Sequence, residues 1–216
     1  MSGIVLMSDR RVAAIALQEC GENLVDVRVH GVRADDRRHD EAGAYAHVRQ
    51  GVLTRLLHAR SLLPTGVRLL FIEGYRPLAL QRRYFEEYSG RLARAHPDWQ
   101  AAELREAAGR FVSPPEIAPH SAGAAVDVTL IDHAGRELDM GTRVNADPEE
   151  SNGACYTDAP GLSTRARTNR ATLKAVLSAA GLVNYPTEWW HWSFGDRYWA
   201  LQTRQPAACY GPVEPP

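Results

Sequence analysis

Four polar residues fall in two short stretches, His120 and Asp127 within APHSAGAAVDVTL and Glu188 and His191 within TEWWHWSF. Two imidazoles and a carboxylate are the nitrogen and oxygen donors that a catalytic zinc ion takes, with a fourth position left open for water. Glu188 precedes His191 by three residues, where it could act as a general base on such a water. The set reads as a metallohydrolase with His120, Asp127 and His191 as ligands of one zinc ion and Glu188 as its base.

Spacing tests this reading. His120 and Asp127 are seven residues apart, and on an uninterrupted strand that odd separation would send them to opposite faces. Ser121, Ala122 and Gly123 supply a turn that lets the chain reverse and bring His120 alongside Asp127. Glu188 and His191 would share a helix face, but Pro186, Trp189, Trp190 and Trp192 favour an extended segment. Glu188 must then sit at a bulge or at the start of that strand, and bulges are common beside active sites. Taken singly, each of these residues has an ordinary explanation as a hydrogen-bonded histidine or a solvated edge carboxylate. The other histidines, His30, His39, His47, His58, His96 and His133, have no partner spacing and read as structural or solvated. The tryptophans near 190 read as packing.

The elements that must position these groups follow from periodicity. LVDVRVH at 24–30 alternates as a half-buried strand, and RADDRRHDE at 33–41 reads as a loop. From Tyr45, Val48, Val52, Leu53, Leu56, Leu57 and Leu63 recur at helical spacing until Pro64 and Gly66. VRLLFIE at 67–73 is a buried strand, and GYRP opens a loop. Residues 78–92 and 97–111 read as helices, the second with Pro97 near its first turn. AAVDVTL is a strand that places Val126, Val128 and Leu130 on one face and Ala125, Asp127 and Thr129 on the other, so that Asp127 faces a site or solvent. The Gly-, Pro- and Asn-rich stretch 133–167 reads as a loop rimming the site. Residues 168–182 form a helix that Gly181 stops, and WWHWSF is an aromatic strand. The tail QPAACYGPVEPP looks loosely ordered. Strands and helices without regular βαβ alternation predict a single α+β domain over residues 1–216, with a mainly antiparallel central sheet flanked by helices.

At 216 residues and 44% hydrophobic, the chain supports one well-cored domain. A formal charge of −1, from 25 basic and 26 acidic residues, gives no field to draw nucleic acid or an anionic membrane surface. MSGIVLMSDRRVAAIALQEC carries its arginines mid-segment and is broken by Ser8, Asp9 and Gln18, unlike a signal peptide or membrane span, so the chain reads as cytoplasmic. Cys20, Cys155 and Cys209 have no CxxC spacing and read as reduced thiols, with a Cys155–Cys209 bridge conceivable in an oxidising compartment.

HSAGAAVD, with GYRP upstream and EWWH downstream, resembles the zinc-dependent D-alanyl-D-alanine dipeptidases (VanX-like), within the wider family that includes D,D-carboxypeptidases. The likeness runs from about GVRADD through EGYRP, HSAGAAVDVTL, LDMGT, NR and EWWHW. It implies His120, Asp127 and His191 as zinc ligands, Glu188 as the base that later passes its proton to the leaving amine, and Arg76 as a donor to the oxygen on which charge develops. The implied partner is a small D,D-dipeptide such as D-Ala-D-Ala. Ala118 stands where the vancomycin-resistance members carry Ser, and Asn145 where they carry an Asp that binds the substrate ammonium. Glu149 or Glu150 could supply that charge. Two other functions share the ligands: a D,D-carboxypeptidase acting on peptidoglycan precursors, and a non-catalytic zinc-binding module.

Overall fold

In chain order the elements are helix α1 (Arg10–Ala13), strands β1 (Ala16–Leu17), β2 (Leu24–Asp26) and β3 (His47–Arg49), helix α2 (Gln50–Ser61), strand β4 (Arg68–Glu73), helices α3 (Leu78–Ala95) and α4 (Ala101–Ala108), strand β5 (Ala125–Ile131), helix α5 (Thr164–Ala179), strands β6 (Val183–Asn184) and β7 (His191–Ser193), helix α6 (Arg197–Thr203) and strand β8 (Ala207–Ala208). The computed structural model describes residues 3–38 and 40–216. The fold is of the mixed α+β class expected from the sequence. A four-stranded antiparallel sheet of order β4-β5-β7-β6 lies at its centre. Small pairs β2–β3, antiparallel, and β1–β8, parallel, flank it.

The sheet register positions the site. β4 and β5 pair regularly from Arg68↔Ile131 to Phe71↔Val128, and then a bulge brings Glu73 opposite Asp127. On the other edge of β5, Asp127 pairs with His191. Glu73, Asp127 and His191 therefore form one row across three strands, each within reach of its neighbour. The extra residue of the bulge re-aims Glu73 to join that row.

α2 packs Val52, Leu53, Leu56 and Ala59 into the core along the predicted stripe. α5 is capped by Ser163, whose Oγ accepts from Ala166 N at 3.0 Å, and buries Leu173, Val176 and Leu177. Trp189, Trp190 and Trp192 are fully buried, as the packing reading expects. Each such ring removes roughly 200 Å² from water, an upper bound of about 5 kcal/mol at 25 cal/mol/Å².

Several elements depart from expectation. All seven residues of β5 are buried, so the face that carries Ala125 and Thr129 is covered as well as the apolar one, while Asp127 lines a cavity, one of the two placements expected of it. Only Leu24–Asp26 of the 24–30 segment is strand, because Arg28–His30 closes into a 3₁₀ turn that ends at Gly31. The helix read from Tyr45 begins at Gln50, and His47–Arg49 pairs with β2 instead. α4 starts at Ala101 because Gln100 and Glu103 form a capping box, which leaves Pro97 ahead of the helix. α5 begins four residues before Thr168 at its serine cap and ends before Gly181. The tail is tied down by β8 and by bonds beyond it. The 33–41 stretch carries a parallel bridge, Ala34 to Phe71, and His39 within it lies outside the described residues. No described helix is long and apolar enough to cross a membrane.

Candidate active site

His120 opens a 3₁₀ turn, His120–Ala122, that ends at Gly123 with φ +63°. That left-handed residue reverses the chain into β5, as the seven-residue spacing requires. Glu188 lies in a turn before β7, its N–H donating to Tyr185 O at 2.9 Å, while His191 N donates back to Glu188 O at 3.2 Å. Trp189 and Trp190 belong to this turn, and the strand is confined to His191–Ser193. Glu188 is therefore placed just before the strand, and the bulge lies instead on β4.

The three expected ligand atoms converge. His120 Nε2 is 3.1 Å from His191 Nδ1 and 3.4 Å from Asp127 Oδ1, and His191 Nδ1 is 3.1 Å from Asp127 Oδ1. Tetrahedral zinc with bonds of about 2.0–2.1 Å needs ligand atoms roughly 3.3 Å apart, so this triangle fits the ion in size as well as donor type. His120 Nδ1–H donates to Gly74 O at 2.6 Å, which fixes the ring and leaves the Nε2 lone pair facing the triangle. His191 Nε2 is buried without a hydrogen-bond partner among the described residues. Glu188 Oε2 lies 3.8 Å from His191 Nδ1.

Burial and charge set the protonation. Burial pushes the Glu188 carboxyl well above its usual range, and the Asp127 charge adds to this. For Asp127, burial acts upward but His120 and His191 outweigh it and hold the carboxyl below its usual range. Burial lowers His191, partly offset by Asp127.

Arg76 is buried and held by Glu73 through Nε–H to Oε1 at 2.7 Å and Nη2–H to Oε2 at 2.8 Å, with Nη1–H donating to Gln81 Oε1 at 2.8 Å. Burial raises the Glu73 carboxyl, but Arg76 outweighs it and the net shift is downward. All five expected residues, Arg76, His120, Asp127, Glu188 and His191, line one cavity of about 340 Å³. Helix α3 forms its far wall through Tyr84, Tyr88 and Arg91. Ala118 and Asn145 also line it, Asn145 in the left-handed region at φ +60°.

Glu149 and Glu150 do not line the cavity. Tyr88 OH donates to Glu149 at 2.6 Å and Arg143 pairs with Glu150 at 2.5 Å, so neither replaces the charge absent at Asn145. His47, His58, His96 and His133 lie outside the cavity lining, and His96 stacks on Trp99 with ring centroids 3.8 Å apart. Glu73 was not expected from the sequence. Its signal was a carboxylate closing an apolar strand three residues before Arg76. Arg38, which pairs with Glu73 at 3.5 Å and lines the cavity, sits in a polar run with no such signal. Cys155 is buried and Cys209 lies elsewhere, beside Cys20, whose N–H donates to Cys209 O at 3.1 Å, so the conceivable Cys155–Cys209 bridge has no support.

Two histidines and a carboxylate that could hold a metal ion converge beside a further buried carboxylate, on a cavity of small-molecule size. Residues 39–209 match the family Peptidase_M15, described as D-ala-D-ala dipeptidase. The D-alanyl-D-alanine dipeptidase of Synechocystis sp. is 30% identical over 239 residues, covering 93% of this chain and 96% of that protein. The D-alanyl-D-alanine dipeptidase of Escherichia coli K12 is 30% identical over 127 residues, 59% of this chain and 55% of that protein. The chain belongs to the D-Ala-D-Ala dipeptidase family of M15 peptidases.

Proposed function

We propose that this protein is a zinc-dependent dipeptidase that hydrolyses a small D,D-dipeptide, D-Ala-D-Ala above all, with residues 1–216 acting as one domain. The observation that carries the reading is the ligand triangle, with edges of 3.1, 3.1 and 3.4 Å beside Glu188. His120 Nε2, Asp127 Oδ1 and His191 Nδ1 would hold one zinc ion. When bound, zinc supplies Lewis acidity that acidifies water and polarises a carbonyl oxygen.

The chain's own residues supply the rest. The Glu188 carboxylate takes the proton of the attacking water and delivers it to the leaving amine nitrogen. A guanidinium carries five N–H donors. Glu73 and Gln81 engage three of those on Arg76, which leaves one on each terminal nitrogen for the developing oxyanion. Because Glu73 holds the guanidinium plane in advance, little reorganisation remains at the moment of reaction. The cavity of about 340 Å³ suits a dipeptide better than a long peptide. A free dipeptide as substrate goes with a cytoplasmic location, which cell fractionation tests.

The test is amine release from D-Ala-D-Ala, L-Ala-L-Ala and a pentapeptide ending in D-Ala-D-Ala, by protein of measured zinc content with a chelated control. Zinc-dependent cleavage of the D,D-dipeptide is the expected result, with Glu188→Gln keeping its zinc and losing at least about 10²-fold in kcat. Preferential cleavage of the pentapeptide would assign a carboxypeptidase. Fully metallated protein inert on every substrate would leave a zinc-binding module.

A further inference from the structure

The turn that carries His120 is held from behind by groups outside the cavity. Ala122 O accepts from Arg49 Nε at 2.9 Å, Gly123 O from Arg49 N at 2.8 Å, and Ser121 O from Val213 N at 3.0 Å. His120 O accepts from Gly123 N at 3.0 Å and Arg76 N at 3.2 Å. Every carbonyl from 120 to 123 is thus engaged, three of the four by Arg49 or Val213.

Those two holders are joined to each other. The Arg49 guanidinium, 3% exposed at the side chain, donates from Nη2 to Gly211 O at 3.1 Å and to Glu19 Oε2 at 3.2 Å, and from Nη1 to Glu22 O. Glu19 Oε2 also accepts from Gly211 N at 2.6 Å, and Tyr210 OH donates to Glu22 at 2.6 Å. Val213 O in turn accepts from Tyr75 OH at 2.8 Å, one residue before Arg76. The 210–213 segment therefore spans the backbone behind His120 and the residue preceding Arg76. Glu19, Glu22, Gly211 and Val213 all lie outside the residues 39–209 matched to the family.

We infer that Arg49 and the 210–213 segment form a strap whose task is to position His120 for the metal and to hold it in register with Arg76. Arg49 and Val213 are positioning residues, since neither lines the cavity. The inference rests on His120 being a metal ligand, as proposed above. The clamp acts on the three residues that follow His120 in its turn and reaches the imidazole through them, and partners that orient a ligand typically affect metal affinity about 10- to 100-fold.

The test compares the full chain, a chain ending at Tyr210, Arg49→Lys, Tyr75→Phe and His120→Ala. Each is measured for zinc affinity by competition with a chromophoric chelator, for the visible spectrum of its cobalt form, and for thermal unfolding without metal. The shortened chain and Arg49→Lys are expected to bind zinc about 10-fold or more weaker, with an altered cobalt spectrum. Tyr75→Phe removes one donor and folds with little disturbance, and a loss of about two- to fivefold is expected. Lowered unfolding temperatures with unchanged zinc affinity and cobalt spectrum would overturn the strap and leave a purely structural role. If His120→Ala binds zinc as the full chain does, the ligand assignment itself fails, and the strap with it.

Discussion

Replacing Glu73 by Gln removes the counter-charge of a buried arginine. The pair is nearly closed to water, with Glu73 3% and Arg76 8% exposed, and it is bidentate at 2.7 and 2.8 Å. Removing one partner of a buried pair costs about 3–5 kcal/mol because the other charge remains desolvated. For a chain of 216 residues that is a fall of roughly 6–20 °C in Tm. Because Gln81 and the Tyr84 ring, 5.1 Å from the guanidinium, still touch Arg76, the expected value is toward the lower end. Loss of the fixed guanidinium plane should also lower kcat about 10- to 100-fold in metal-loaded protein. Calorimetry and initial rates measure the two effects separately. The double variant Glu73→Gln/Arg76→Met should be more stable than Glu73→Gln alone, since it removes the orphaned charge. A Glu73→Gln protein with Tm within about 2 °C of the parent and unchanged kcat would refute the reasoning.

The same pair sets a pH signature. Net, Arg76 holds the folded-state Glu73 carboxyl below its ordinary value of 4.5. Between the folded and unfolded values the unfolded chain binds more protons, so stability rises with pH there. The contribution is fully present above the ordinary value and is lost as pH falls through the depressed one. Glu73→Gln should therefore flatten the acid limb of the stability curve as well as lower its plateau.

Two further outcomes follow from particular contacts. A Cβ on Gly123 would lie 2.3 Å from Leu24 Cδ2 at φ +63°, so Gly123→Ala should cost about 2–4 kcal/mol by urea titration. A cost below about 0.5 kcal/mol would mean the turn is not built as described. Under oxidised glutathione, the exposed Cys20 thiolate should form the mixed disulfide and Cys209 displace the glutathione thiolate to leave a Cys20–Cys209 bridge. Cys155, buried and with its thiol pushed up to about 11 by burial, should stay reduced; a Cys155–Cys209 peptide on non-reducing mapping would contradict this geometry.

What the sequence revealed and what it hid divide along physical lines. His120 and Asp127 were legible as a candidate pair because Gly123 gives a local reversal between them, whereas the segment before His191, read as extended from Pro186 and the tryptophans, is a turn through Trp189 and Trp190. The β4 bulge was not legible, since it arises from pairing with a strand more than fifty residues away, and so the role of Glu73 was hidden with it. The 205–216 tail looked loose because its composition is rich in proline and poor in periodic apolar residues. Its order comes from hydrogen bonds to Glu19, Arg49, Ser121 and Tyr75, groups that composition does not reveal. β3 was absorbed into a helix because Val48 fits the helical stripe of α2, and only pairing with β2 distinguishes the two.

The charge balance of the site gives the ligand triangle its meaning. Glu73 is matched by Arg76 and by the partly exposed Arg38 at 3.5 Å, and beside them stand Asp127 and Glu188, two buried carboxylates near histidines that burial inclines toward neutrality at His191. Of these two carboxyls Glu188 is the one pushed upward, by burial first and by Asp127 next, with Arg76 and Arg38 offsetting part of the rise. Raising the carboxyl makes its ionised form a stronger base but a scarcer one. A divalent ion in the triangle would cancel the Asp127 charge and favour ionised Glu188, so on the proposed function the ion that would supply Lewis acidity would also ready Glu188 as the base. Both functions would then be absent together in stripped protein, which ties activity to metal more steeply than ligand loss alone.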